Sequence, residues 1–364
     1  MTKTDSVFHY NQEFELESGK KLPGFQLKYT TLGQLNKNRS NVVWICHALT
    51  GSSDFTDWWK DFFTEGSPYD PRDYFIICAN TLGGCYGSTG ALSINPVTGK
   101  NYFHDFPLIT NRDIIRGFDL LRESLELNKV HTLIGGSLGG QQALEWAIVQ
   151  PTVFENLVAI ACNAFHSPWG IAFNEAQRMA ITADATWKDN DARAGSEGMK
   201  AARAIGMISF RTYETYATTQ SEKNLDQLDD FRASSYQQYQ GQKLVSRFNA
   251  FSYWTLTKAM DNHQVARKRG SVENALRQIK AKTLVVGITS DLLFPLSEQE
   301  FLAATIPIAK LSVINSVYGH DGFLVEFEQF KKIVREFLRS EKKEAVLNNS
   351  SYDFKSLEDL PNRQ

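Results

Sequence analysis

The stretch Thr132-Leu-Ile-Gly-Gly-Ser137-Leu-Gly-Gly-Gln-Gln-Ala-Leu-Glu-Trp-Ala147 decides how this 364-residue chain is read. An apolar run ends in Gly135-Gly136-Ser137-Leu138-Gly139, and a helical pattern starts at once. Strand, tight G-x-S-x-G turn and helix in that order make a nucleophile elbow, in which the turn lifts the serine hydroxyl clear of the sheet. Small residues on either side of Ser137 keep so sharp a turn free of side-chain clashes. The amide of Leu138 opens the helix and points to where an oxyanion would form.

Working outward, short apolar runs at Val42–Cys46, Tyr74–Ala79 and His131–Gly135 read as buried parallel strands, with Val153–Cys162, Lys282–Gly287 and Lys310–Asn315 completing the series. Asn111–Leu127 has helical periodicity, with Ile114, Ile115, Phe118, Leu121 and Leu125 on one face. Near the start, Gln12–Leu16, a turn at Ser18-Gly19-Lys20-Lys21 and Phe25–Thr31 read as two antiparallel strands. Strands alternating with helices predict an α/β fold, a mostly parallel sheet covered on both faces. Residues 166–281 break the rhythm: they are helical in pattern, almost without strand-like runs, and fall between the sixth and seventh strands. There they predict a helical lid. The organisation expected is a core from 1–165, the lid at 166–281, the rest of the core at 282–340 and a polar, loosely ordered tail at 341–364.

A serine nucleophile needs a base, and the base an orienting acid. Asp291, in Ser290-Asp291-Leu-Leu-Phe-Pro295, follows a buried strand and so sits at its carboxyl end, where sites in such sheets gather. Asp321 is a weaker competitor, because it adjoins the base. His320, on a loop in Tyr318-Gly-His320-Asp321-Gly-Phe-Leu324, is the candidate base. His131 precedes the elbow strand and lies at the wrong end of the sheet, while His9, His104, His166 and His263 have no matching strand-end position. His47 ends the strand leading into His47-Ala-Leu-Thr-Gly51, the loop expected to supply a second oxyanion amide from Leu49, and reads as support for that loop.

Composition narrows the classes. Thirty-nine basic and 41 acidic residues leave a formal charge of −2, with no basic block of the density that nucleic acid or an anionic membrane requires. No leader-like apolar segment follows Met1 and no run approaches membrane-spanning length, so a cytoplasmic protein is expected. The four cysteines lack ligand spacing, and no metal site is expected. Cys46, Cys78 and Cys162 read as buried small hydrophobes; Cys85, in a Gly-rich loop, either approaches the site or packs the loop.

Taken together, these segments closely resemble the homoserine O-acetyltransferase branch of the α/β-hydrolase superfamily. The resemblance is carried by His47–Gly51, Asn80-Thr-Leu-Gly-Gly-Cys-Tyr-Gly-Ser-Thr-Gly90, Ser93–Gly99, Asp105–Thr110, Gly135–Trp146, Gly170–Arg178, Ser290–Pro295 and Tyr318–Leu324, in one register over residues 12–330. It implies the Ser137–Asp291–His320 triad and the helical lid already reached by position. It also implies acetyl-CoA as co-substrate with no permanently bound cofactor, L-homoserine as acceptor in a route to methionine, Arg178 on the acceptor's carboxylate, Asp321 on its ammonium, and a homodimer built through the lid helices. Ala91, Gln141, Leu292 and Thr255 depart from residues common in the family. Related enzymes use succinyl-CoA or L-serine; an esterase or thioesterase would use the same triad on water, and a non-catalytic binding protein on this scaffold, the remaining alternative, would have little reason to keep it.

Overall fold

The computed structural model describes residues 3–350, with Lys60 and residues 340–350 described by their backbone alone. Ten strands run in chain order: β1 Thr4–Tyr10, β2 Phe14–Glu15, β3 Lys21–Leu22, β4 Phe25–Leu32, β5 Val42–Cys46, β6 Phe75–Ala79, β7 Val130–Gly136, β8 Phe154–Ile160, β9 Lys282–Ile288 and β10 Ala309–Ile314. The helices are α1 Phe55–Trp58, α2 Asn111–Ser124, α3 Leu138–Val149, α4 Pro168–Thr182, α5 Ser196–Phe210, α6 Tyr213–Gln220, α7 Arg232–Val245, α8 Ala250–Asp261, α9 Val272–Leu276, α10 Leu296–Thr305 and α11 Phe327–Ser350.

Eight strands form one sheet in the order β1-β4-β6-β5-β7-β8-β9-β10. The pairs from β6 through β10 are parallel, and β4 joins β6 and β1 antiparallel. The apolar runs are continuous because both faces are covered. Val42, Trp44 and Cys46 face one core with Leu133 and Leu157, while Val43 and Ile45 face the other with Ile134 and Val158. On the first side Trp146 of α3 meets Trp44 edge-on at 5.0 Å; on the second Phe330 of α11 stacks on Phe62 at 4.5 Å.

The N-terminal hairpin differs from expectation. β4 pairs with Thr4–Tyr10 rather than with 12–16, and Phe14–Glu15 pairs only with Lys21–Leu22 in a small separate sheet. β1 is an edge strand with no fully buried residue, so it lacks the apolar signal that marks the central strands; Phe8 and Tyr10 hold it by packing on Phe25.

Residues 166–281 carry α4 to α9 between β8 and β9, on the side of the sheet where the strands end. The first part of the polar C-terminal stretch continues α11 to Ser350, and 351–364 lie outside the described residues.

Candidate active site

Ser137 sits between β7 and α3 at φ 58°, ψ −125°, a backbone conformation that non-glycine residues rarely adopt. Two hydrogen bonds hold it there: its N–H donates to the Ile160 carbonyl at 3.0 Å, and its carbonyl accepts from the Gln141 N–H at 3.0 Å. The turn is possible because α3 presses against β5. A Cβ on Gly139 would lie 2.0 Å from the Cys46 carbonyl oxygen, so only glycine fits. Leu138 is the first residue of α3, where an N–H has no acceptor within the helix.

Asp291 and His320 come from the loops after β9 and β10. His320 Nδ1 lies 2.7 Å from Asp291 Oδ2. The other carboxylate oxygen, Oδ1, accepts the Leu293 and Phe294 amides, each at 2.9 Å. A clamp joins the two loops: Ser290 Oγ donates to the Ser316 carbonyl at 2.6 Å and accepts from the Gly319 N–H at 3.1 Å. Gly319 has φ +62°, and a Cβ there would meet the Phe210 carbonyl of the lid at 2.8 Å. The imidazole packs between Phe294, 5.1 Å away and nearly parallel, and Phe323, edge-on at 5.7 Å. Burial alone would lower its pKa. The charge of Asp291, the hydrogen bond that Nδ1–H donates to it and the charge of Asp321 outweigh that and hold it above the ordinary 6.5.

His47 does support its loop. Its Nε2 lies 3.0 Å from the Thr81 N–H, which only donates, so Nδ1 carries the proton and donates to the Ala48 carbonyl at 2.8 Å. Burial pushes its pKa down to about 4, so the ring stays neutral. Ala48, Leu49, Thr50 and Gly51, the loop so braced, form one wall of a cavity that also holds Ser137 and His320.

The lid supplies the opposite wall through Phe173, Asn174 and Gln177 of α4, Arg203, Ser209 and Phe210 of α5, and Met260 of α8; Asp321 lies beside the base. Asp321 also pairs with Arg211 at 2.9 Å.

Arg178 is the site residue that the structure places elsewhere. It is one turn beyond Asn174 but points at α8, 1% exposed, with Nη2 on Asp261 Oδ2 at 2.5 Å and on Glu175 Oε2 at 2.6 Å. The wall of the cavity does not include it. Two arginines are on the wall: Arg247, whose Nη1 donates to the Thr50 carbonyl at 2.7 Å and lies against the Tyr86 hydroxyl, and Arg203, which lies over the Phe210 ring at 5.4 Å and has no carboxylate partner among the described residues. The sequence carries a signal for it: Arg203 is the lone charge among small and apolar residues from Ala201 to Phe210, seven residues and so two turns before Phe210.

Ala91, Gln141, Leu292 and Thr255 are all off the cavity wall. Cys85 is off it too, its Sγ 3.8 Å from the Arg247 carbonyl, and burial pushes its thiol up to about 12. No described helix is long and apolar enough to cross a membrane.

An elbow serine and a histidine–carboxylate pair at the strand ends of a parallel sheet define a serine-nucleophile acyl-transfer site, and residues 41–327 match the family model of the alpha/beta hydrolase fold. Relatives resolve the branch. The homoserine O-acetyltransferase of Cyclobacterium marinum is 49% identical over 92% of this chain and 95% of its own length, and that of Chlorobaculum tepidum 42% identical over 93% and 96%. The chain belongs to the homoserine O-acetyltransferase family. Among solved structures, the homoserine O-acetyltransferase from Bacillus anthracis is similar at a TM-score of 0.86 and 25% identity, over 93% of this chain and 98% of that one. Esterase E22 is similar at 0.84 and 25%, over 93% and 100%.

Proposed function

We propose that this protein transfers the acetyl group of acetyl-CoA to the hydroxyl of L-homoserine through an acetyl-Ser137 intermediate. The observation that carries this reading is one cavity holding Ser137 and His320 together with the guanidinium of Arg203 and the carboxylate of Asp321, the wall's other arginine, Arg247, being tied to Thr50 and Tyr86. That is the charge pattern a compact zwitterion needs beside a nucleophile.

In the first half-reaction His320 Nε2 takes the Ser137 proton as Oγ adds to the thioester carbonyl. The amides of Leu49 and Leu138 receive the oxyanion, each contributing roughly 3 kcal/mol to the transition state. The C–S bond breaks, and the proton on His320 leaves with the coenzyme A sulfur. In the second half His320 takes the proton of the amino alcohol's hydroxyl, whose oxygen attacks the acetyl-serine. The product ester departs, and the proton returns to Ser137. Arg203 receives the acceptor's carboxylate in place of Arg178, and Asp321 its ammonium.

The product is an activated alcohol on the way to methionine, made in the cytoplasm. Trp169, Met179, Ile208 and Tyr213, exposed on the lid, supply the contact of a homodimer. The test is coenzyme A release with acetyl-CoA or succinyl-CoA and with L-homoserine, L-serine or no acceptor, the product identified by mass. Acetyl-CoA with L-homoserine is the pair expected to turn over fastest. Equal release without acceptor makes the protein a hydrolase, and a preference for succinyl-CoA or L-serine reassigns donor or acceptor.

A further inference from the structure

The buried pair of Arg178 and Asp261 leaves a question: what a lid gains by sealing an ion pair just behind its inner wall. The answer lies in Asn174. Its Nδ2 donates to Asp261 Oδ1 at 2.9 Å and lies 3.1 Å from His166 Nε2. Burial pushes the His166 pKa down to about 4, so the ring is neutral and one of its two nitrogens accepts; Nδ1 faces Gln141 Nε2 at 3.2 Å as Nε2 faces Asn174. The NH2 of Asn174 is therefore turned toward Asp261 and His166. Arg178 holds the far oxygen of the same carboxylate, Oδ2, at 2.5 Å, which keeps Asp261 a pure acceptor. With a carboxylate in front of it the side-chain amide of Asn174 has one orientation only, and its Oδ1 is left over. That oxygen accepts from no described residue and is not sealed from solvent, and Asn174 is on the cavity wall.

Of its neighbours on the wall, the Gln177 amide is already tied to other groups, while Ser209 Oγ has spent its proton and keeps only its neutral lone pairs. Gln177 Oε1 accepts from the Tyr253 hydroxyl and its Nε2 donates to the Phe173 carbonyl; Ser209 Oγ donates to the Gly206 carbonyl. Asp321 has one carboxylate oxygen on Arg211. An ammonium brings three N–H donors into this space, and each donor buried without an acceptor is costly. Asp321 alone does not meet that demand.

We infer that Asn174 Oδ1 is a second acceptor for the ammonium group of the amino-alcohol substrate, with Asp261 and Arg178 as positioning residues that fix the orientation of its amide. The inference rests on the acyl-transfer reading above and adds to it the residue that separates an amino alcohol from a plain alcohol. Oriented by a carboxylate, Asn174 plays toward substrate the part that an outer-shell partner plays for a metal-ligating side chain.

The test compares L-homoserine with 4-hydroxybutyrate, which keeps the hydroxyl and carboxylate and lacks the ammonium, as acceptors from acetyl-CoA. Asn174→Ala is expected to raise the KM for L-homoserine about tenfold, the loss of one hydrogen bond to a charged group, and to leave that for 4-hydroxybutyrate within about twofold. Asp261→Asn, which frees the amide of Asn174 to turn over, is expected to shift the same ratio in the same direction by a smaller factor. An equal rise for both acceptors in both variants, or no change in either, overturns the inference, since a merely structural role does not distinguish the two alcohols. Wild-type protein that acetylates neither alcohol removes the acyl-transfer reading and this inference together, whereas wild type that acetylates L-homoserine with an unmoved variant ratio removes only the inference.

Discussion

Asp291 meets His320 with only one of its two carboxylate oxygens. Oδ2 lies 2.7 Å from Nδ1 of the ring, while Oδ1 is committed to the amides of Leu293 and Phe294. In Asp291→Asn the two amides keep the side-chain oxygen, so the new NH2 faces His320. The ring must then accept at Nδ1 and carry its proton on Nε2, the wrong tautomer for a base. Turnover is expected to fall about ten-thousand-fold with the fold intact. Activity within about tenfold of wild type would remove the acid assignment.

The same contact sets the pH dependence. His320 is raised above 6.5 by the charge and hydrogen bond of Asp291 and by the charge of Asp321, which together exceed the lowering by burial. A base acts when neutral, so kcat/KM for acetyl-CoA is expected to rise with pH through a midpoint above 6.5. Removing the charge of Asp321 takes away one raising influence, and in Asp321→Asn the midpoint is expected to move down. A midpoint unmoved or moved up contradicts the arrangement.

Ser137 is held at φ 58°, ψ −125° by its surroundings, at a cost of about 1–3 kcal/mol for a non-glycine residue. Ser137→Ala and Ser137→Gly are both expected to lose acyl-enzyme formation. The glycine variant is expected to be the more stable of the two by about 1 kcal/mol in urea unfolding, because glycine alone adopts that backbone without strain. An alanine variant as stable as the glycine one would mean that the elbow stores no strain.

The two arginines of the lid are expected to behave oppositely. Arg178→Met leaves Asp261 buried without its cation and should cost about 3 kcal/mol of stability. Arg203→Met is expected to change stability by no more than about 1 kcal/mol. It is expected to raise the KM for L-homoserine about tenfold or more through loss of the carboxylate contact. The reverse pattern, with Arg203 the stability residue, contradicts the assignment.

That pair also marks how far the chain was legible. The central strands and the elbow could be read directly, because a strand buried on both faces is an unbroken apolar run and because a turn pressed against the Cys46 carbonyl admits only glycine at 139. Asp291 and His320 followed from position at strand ends. Arg178 and Arg203 did not, because both are cations on amphipathic lid helices, Arg203 sharing its helix with Lys200. Which one faces the cavity depends on how α4 and α5 are rotated against each other and against α8. The phase of one helix seen alone does not contain that information. β1 escaped for a different reason: an edge strand held by Phe8 and Tyr10 buries too little to leave a pattern.

Acid should destabilise the protein through its buried histidines. Burial holds His47 and His166 down to about 4 and His263 to about 3. Their unfolded values are near 6.5. With folded values depressed, this stability is fully present above pH 6.5 and is lost as pH falls toward the folded values. Each group contributes about 1.4 kcal/mol per pH unit within that window. His320, raised instead of lowered, contributes stability that is fully present below 6.5 and is lost only as pH rises through its folded value, so it leaves this window unchanged. Unfolding by urea is expected to show a steep fall in stability between about pH 6 and 4.5, and a flat profile there would show that these histidines are not buried neutral.

The central claim is a covalent acetyl group on Ser137 that awaits an amino alcohol. The most direct measurement mixes protein rapidly with acetyl-CoA alone, then follows coenzyme A release and the mass of the peptide carrying Ser137. The account predicts a burst of about one coenzyme A per site, an acetyl group on Ser137 that persists without acceptor, and its prompt transfer to L-homoserine when that is added. Release only when both substrates are present, with Ser137 never acetylated, would contradict it.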